Sequence, residues 1–323
     1  MQRRSLLRAA CGLPLFLPLV GRAQAGYPTR PVKLVVGFEP GGSTDLTARM
    51  IGQKFAEKLG QPFVIENRPG AGSNIGTQHV ARADADGYTL LLGTISAAVN
   101  MSLYKNPNFD LLGDLVPITI ISKSPTVLVV HPDLPVRTLQ DFVAYVKSKP
   151  GELNYASSGM GNTPHLAMEI LKQRTGMEIE HVPYKGAGPA LQNQLSGLVD
   201  AGIVTALSAI PSIEAGKLRP LAVTAKERLT VLPDVPTFEE LGVPDFEITS
   251  WNGLFAPAGV SPEVVQTIGE AWKHVSELPQ IRTNFTDQAA VAMANTPEEF
   301  RAFVEQEIKT WGDVIDSLNI ERI

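Results

Sequence analysis

The sequence predicts an α/β fold arranged as two domains. Three observations carry that expectation. One unit recurs along the chain: a short apolar run, a turn rich in Gly, Ser, Thr or Asn, and a helix of 3.6-residue period. Two long extended runs, Val116 to Val130 and Phe246 to Phe255, each stand between one such series and the next. The 323 residues, 44% of them hydrophobic, suffice for two domains with a core each. Strands alternating with helices point to parallel sheets covered on both faces.

Taken in order, Val32 to Gly37 runs into Glu39-Pro40-Gly41-Gly42-Ser43-Thr44-Asp45. Leu46, Met50, Ile51, Phe55 and Leu59 then form one helical stripe, which Gly60 ends. Phe63 to Glu66 leads to Pro69-Gly70-Ala71-Gly72-Ser73-Asn74, and Thr89 to Leu92 leads to Gly93-Thr94-Ile95-Ser96. Val116 to Val130 is β-branched and apolar, with an interruption at Ser122-Lys123-Ser124-Pro125. Leu153 to Ala156 precedes Ser157-Ser158-Gly159-Met160-Gly161-Asn162-Thr163, and Ile179 to Pro183 precedes Tyr184-Lys185-Gly186-Ala187-Gly188. Asp200 to Val204 precedes Thr205, and Leu221 to Thr224 closes the set. Ser261-Pro262-Glu263 opens a helix with Ser as N-cap and Pro in its first turn, and Thr296-Pro297-Glu298-Glu299 is a capping box for a last helix. Two extended runs between similar series are what two crossovers would look like, which places one domain at 27–123 plus 249–323 and the other at 124–248.

The first 25 residues read as an export signal. Met1 to Arg8 is basic, Ala9 to Val20 is apolar but too short to span a bilayer, and Ala23-Gln24-Ala25 is a small-x-small cleavage pattern. The mature chain is expected to start at Gly26, in the periplasm. Arg3-Arg4 before Ser5-Leu6-Leu7 resembles a twin-arginine signal, and a generic basic segment carries the same letters. Cys11 is the only cysteine, so the mature chain has no disulfide, thiolate metal site or Cys nucleophile.

Four of the 28 basic residues, Arg3, Arg4, Arg8 and Arg22, fall in that segment, leaving the mature chain at a formal charge of −9 against 33 acids. This balance, with no basic cluster after Arg8, excludes a nucleic-acid partner. No two of the five histidines stand at a metal-ligand spacing, and no metal or cofactor is expected. Ser102-Leu103-Tyr104-Lys105 matches S-x-x-K without its companion motifs. Asp84-Ala85-Asp86-Gly87 lacks the rest of a calcium loop. Gly70-Ala71-Gly72 with Gly76 misses the dinucleotide spacing and the acidic ribose ligand.

The turns instead concentrate backbone N–H groups, hydroxyls and amides at helix starts. Unpaired N–H groups in a first helical turn, backed by the macrodipole, hold an anion without a cationic side chain. Gly41 to Asp45 and Lys185 to Ala190 both have this design, one in each expected domain, with Ser43, Thr44, Thr94, Ser157, Ser158 and Asn162 able to direct hydrogen bonds. Ordinary helix capping explains any one such turn; several at strand ends on two facing domains suggest a binding cleft.

Val35-Val36-Gly37-Phe38-Glu39-Pro40-Gly41-Gly42-Ser43-Thr44-Asp45, Glu66-Asn67-Arg68-Pro69-Gly70-Ala71-Gly72 and Asp86-Gly87-Tyr88-Thr89-Leu90 resemble the Bug-type (TctC-like) substrate-binding proteins of tripartite tricarboxylate transporters. Tyr155-Ala156-Ser157-Ser158-Gly159, Val182-Pro183-Tyr184-Lys185-Gly186, Val235-Pro236-Thr237-Phe238-Glu239-Glu240-Leu241-Gly242 and Ala256-Pro257-Ala258-Gly259 continue the resemblance in family order. It implies a periplasmic two-domain solute-binding fold of the type II, Venus-flytrap arrangement. Such a protein closes on a small organic acid or amino acid and delivers it to membrane permease subunits, as a monomer and without catalysis.

The resemblance also implies the ligand-binding set. Gly41, Gly42, Ser43, Thr44 and Asp45 on one loop, and Lys185, Gly186 and Ala187 on the other, would hold a carboxylate through backbone groups. Phe38, Asn74, Thr94, Ser96, Ser157, Ser158, Asn162 and Thr205 complete it. Asp45 reads as a cap and loop organiser, because a carboxylate facing a carboxylate repels it. Glu39 stands where the family has a small or apolar residue; facing the cleft it disfavours a polyanion and hints at an amino group, facing solvent it implies neither. Two other readings fit the scaffold: an adaptor that presents its ligand to a membrane receptor, and an exported serine hydrolase or isomerase using Ser43 or Ser158 with His165 or His181 as base.

Overall fold

The computed structural model describes residues 26–318 and 320–323; the expected export signal, its twin arginines and Cys11 lie outside the described residues. The first half opens with β1 (Val32–Val36), α1 (Ser43–Leu59), β2 (Phe63–Asn67), α2 (Asn74–Ala81), β3 (Thr89–Thr94) and α3 (Ile95–Leu103). The long strand β4 (Leu115–Val130) leads to α4 (Leu139–Ser148), β5 (Asn154–Ser157), α5 (Thr163–Thr175), β6 (Glu180–Pro183), α6 (Ala187–Leu195), β7 (Ala201–Thr205), α7 (Ala206–Glu214) and β8 (Arg219–Val223). The chain returns through β9 (Thr249–Pro257) and ends with α8 (Pro262–Ser276), α9 (Pro279–Thr286), β10 (Val291–Ala292) and α10 (Pro297–Ser317).

The strands join in the order β2-β1-β3-β9-β4-β7-β5-β6, with β8 and β10 also pairing β4. The βαβ units give the parallel pairs β1–β2, β1–β3, β5–β6 and β5–β7. Parallel sheets alone are not what forms, however, because β9 runs antiparallel to both β3 and β4, and β4 runs antiparallel to β7 and β8. The sheets are mixed because β4 and β9 enter between the parallel sets. The polar interruption at Ser122 to Pro125 does not end β4: up to Pro125 it pairs β9, and from Thr126 it pairs β7 and β8. The strand changes partners where Pro125, lacking an N–H, could not have continued an ordinary ladder.

Side-chain alternation then divides the core by face. In β1, Val32, Leu34 and Val36 pack with Ile51 and Phe55 of α1 and Trp272 of α8, while Val35 points the other way. In β4, Leu128 and Val130 share a face with Phe142 of α4 and Leu166 of α5, and Val127 and Val129 turn toward Ala209 and Ile210 of α7. Burying a side chain such as Phe55, which is fully enclosed and edge-on to Trp272, contributes roughly 2–3 kcal/mol. The helix starts expected at Ser261 and Thr296 form: Ser261 Oγ accepts from Val264 N, and Thr296 and Glu299 exchange both bonds of the capping box. α4 and α9 lie outside the predicted units; α4 is started by a capping box of Thr138 with Asp141.

Candidate functional site

The carboxyl ends of β1, β3, β5, β6 and β7 each feed a helix whose N-cap or first turn faces a common cavity. Its walls include Gly42, Ser43, Thr44 and Asp45 of α1, Thr94, Ile95 and Ser96 of α3, Asn162, Thr163 and Pro164 of α5, Ala187 of α6, and Thr205 before α7. Five helix N-termini therefore converge on a space of about 40 Å³. Each brings first-turn N–H groups without an intrahelical partner and the positive end of a dipole. Every residue that touches the cavity is neutral except Glu39 and Asp45; no Lys, Arg or His does.

Local chemistry fixes each start. Thr94 Oγ1 accepts from Ser96 N at 3.3 Å, and Asn162 Oδ1 accepts from His165 N at 3.1 Å, so both residues cap their helices. Asp45 departs from the cap expected for it. The N-cap of α1 is Gly42, and Asp45 stands three residues inside, where its oxygens accept from Gly41 N at 3.0 Å, Arg49 Nε at 2.9 Å, Arg49 Nη2 at 3.0 Å and Asn67 Nδ2 at 3.1 Å. Burial pushes this carboxyl up, but the Arg49 fork and the Gly41 and Asn67 donors outweigh it and hold it below the usual range. Asp45 is thus an ionised brace for the loop, with its charge already answered.

Three polar atoms at the cavity have no partner among the described residues: Ser96 Oγ, Asn162 Nδ2 and Thr163 Oγ1, in residues no more than 3% exposed. Buried groups of this kind are normally hydrogen-bonded, so their placement at a cavity wall marks them as available to an occupant.

The loops from the two sides touch. Glu39 N donates to Lys185 O at 3.0 Å. A Cβ on Gly42 would stand 3.0 Å from Ala187 Cβ and 3.3 Å from the amide nitrogens of Ala187 and Gly188, so any larger residue would have to push these helix starts apart by a few tenths of an ångström.

Phe38, Gly42, Ser43, Thr44, Asp45, Thr94, Ser96, Ser157, Ser158, Asn162, Ala187 and Thr205 all line the cavity. Four expected residues do not. Gly41 positions Asp45, and Gly186 is the N-cap of α6. Asn74 Oδ1 is taken by Asn100 Nδ2 at 2.7 Å. Lys185 borders a neighbouring crevice with Gly72, Met160 and Tyr184. The cavity also gains Ile95, Ala156, Thr163, Pro164, Ala190, Ile203, Val204 and Ser250. Thr163 carries the hydroxyl signal used for its neighbours, but the apolar members read as ordinary strand ends.

The serine–histidine contact that exists is not an expected one. Ser157 Oγ lies 2.6 Å from His181 Nε2 and also exchanges bonds with Gly159 N and O, while Ser43 and Ser158 have no bond to either histidine among the described residues. His181 stacks between Tyr155 and His165, with ring centroids 4.7 and 4.3 Å away. Burial lowers His165 to about 4 and His181 to about 3, the latter helped by His165 and Lys172. A base so weak, with no carboxylate to orient it, lacks the third member of a nucleophilic triad. Among the described residues, no three His, Cys, Asp or Glu stand together to hold a metal ion, and no helix is long and apolar enough to cross a membrane.

Comparison with known proteins gives one consistent answer. Residues 47–320 match TctC, the tripartite tricarboxylate transporter family receptor. Protein BugT of Bordetella pertussis is 40% identical over 294 residues, covering 90% of this chain and 89% of BugT. Among solved structures, a Rhodopseudomonas palustris protein with adipate has a TM-score of 0.89 at 36% identity, covering 92% of this chain and all of that one. MatC from the same organism, with bound malate, has a TM-score of 0.86 at 33% identity over 90% of this chain and all of MatC. The periplasmic binding protein BugD has a TM-score of 0.89 at 32% identity, over 91% of this chain and 99% of BugD.

Proposed function

The chain belongs to the tripartite tricarboxylate transporter receptor family, the TctC/Bug-type periplasmic solute-binding proteins, and from that membership we propose that it captures a small carboxylate by closure of two lobes and delivers it to a membrane transporter. The lobes are residues 27–123 plus 249–323 and residues 124–248, and β4 and β9 carry the chain between them. Export through residues 1–25, action as a monomer, transfer to permease subunits and the absence of a catalytic step belong to the same reading.

The observation that carries it is the convergence of five helix N-termini, with orphaned Ser96, Asn162 and Thr163 atoms, on a cavity without a cationic side chain. Each helix start favours an anion by about 0.3–1 kcal/mol, and by up to about 2 kcal/mol when partly buried. The relatives that hold adipate and malate make a carboxylate the anion to expect. The ligand touches both lobes only when they are closed, so its differential contacts populate the closed state.

The test is a thermal-shift panel on refolded, ligand-free protein with mono-, di- and tricarboxylates, amino acids and neutral amides. A ligand at 100 times its Kd adds about 2.7 kcal/mol, which moves Tm by a few degrees. Carboxylates are expected to shift it and neutral amides of the same shape are not; natively refolded protein that answers to no carboxylate overturns the reading.

A further inference from the structure

Glu39 is the feature that the carboxylate reading leaves unused. It sits on the loop between β1 and α1, is half-buried and lines the cavity. None of the ion pairs among the described residues involves it. Asp45, the other acid at the cavity, is answered by Arg49, Asn67 and the Gly41 amide. Lys185, on the loop that touches Glu39, borders the neighbouring crevice instead.

The start of α6 packs against Glu39. Glu39 Cβ stands 3.4 Å from where a Cβ on Gly186, the N-cap of α6, would be. Pro189 removes one first-turn N–H from α6, and the amides of Ala187 and Gly188 crowd against Gly42. The starts of α1, α3 and α5 thus share the cavity with an acidic residue that has no ion pair among the described residues.

We propose that the occupant carries a cationic nitrogen as well as a carboxylate, and that Glu39 reads the nitrogen. This rests on the carboxylate reading and narrows it. The helix starts take the carboxylate; Glu39 attracts an ammonium and repels a second carboxylate at the same place, so one residue supplies both the attraction and the exclusion that specificity needs.

The experiment compares matched pairs by calorimetry on refolded protein: succinate with β-alanine, and malate with aspartate. The wild type is expected to bind the ammonium-bearing member at least about tenfold more tightly, and Glu39→Gln to remove most of that preference. Circular dichroism and the ligand-free Tm of Glu39→Gln confirm that the variant folds. The proposal falls if the wild type binds the member without nitrogen as tightly or more tightly, or if Glu39→Gln leaves the ratio unchanged; carboxylate binding then survives without it. If the wider carboxylate panel shifts nothing, the carboxylate reading falls first and this one with it.

Discussion

Ser157 shows how a cavity residue can be spent on the protein itself. Its hydroxyl has one proton and is engaged by His181 and by both backbone groups of Gly159, so it holds the turn after β5 in shape. Beneath it, His181, His165 and Tyr155 form a stacked column that ends at Glu169, which accepts from Tyr155 Oη at 2.7 Å. Burial keeps both imidazoles neutral down to about pH 4 and about pH 3, against an ordinary value of 6.5. From pH 6.5 downward the unfolded chain therefore binds more protons than the folded one, and stability must fall as pH falls. By pH 5 each histidine is expected to remove about 1–2 kcal/mol, with no contribution above pH 7. Urea denaturation of wild type and His181→Gln across pH 4.5–7.5 measures this. Replacing one imidazole should flatten the slope by up to about half; an unchanged slope would mean that the column does not set it.

Among the elements, β4 matters most, because it passes from one part of the sheet to the other without a break. Thr224, fully buried after β8, pins this crossing: its Oγ1 accepts from Thr126 N at 2.9 Å and donates to Ile248 O at 2.6 Å, just before β9 begins. One hydroxyl thereby ties both crossing segments. Thr224→Val keeps the shape but leaves a buried N–H and a buried carbonyl without that partner, at an expected cost of about 2 kcal/mol. A change below about 0.5 kcal/mol in equilibrium unfolding would show that the tie is replaceable. The same strand marks the limit of sequence reading. The α1 stripe from Leu46 to Leu59 and its stop at Gly60 are legible because helix period and cap act within a few residues. The fate of Ser122 to Pro125 is not, since a partner change depends on β9, more than a hundred residues away. In the cavity, hydroxyl and glycine turns such as Ser43 and Asn162 announce themselves. Ile95, Ile203 and Val204 do not, because an apolar strand end looks the same facing a core or a cavity. The Ser157–His181 contact joins distant turns, and no local pattern encodes it.

At the scale of the whole molecule, the contacts across the cleft near the helix starts are largely made by backbone. Glu39 N meets Lys185 O, Gly42 meets Ala187, and a Cβ on Gly188 would run into Pro40 O. On the closure proposed above, an occupant that bridges the helix starts adds contacts that only the shut state makes, and so decides whether the lobes stay shut. Gly188→Ala separates that claim from every local one. Gly188 is inside the first turn of α6 with ordinary helical backbone, where alanine is favoured over glycine by up to about 1 kcal/mol, so the ligand-free variant should be as stable as wild type or slightly more so. The added methyl meets a backbone carbonyl, which cannot rotate away as a side chain can, and on the proposed closure only the shut state brings that carbonyl near. Affinity for a carboxylate that binds wild type is therefore expected to drop at least about tenfold, with no loss of Tm in its absence. Small-angle scattering should show wild type contracting on ligand addition and Gly188→Ala remaining at its ligand-free radius. If the variant contracts and binds like wild type, the approach of Gly188 to Pro40 is not part of closure, and recognition must be completed within one lobe.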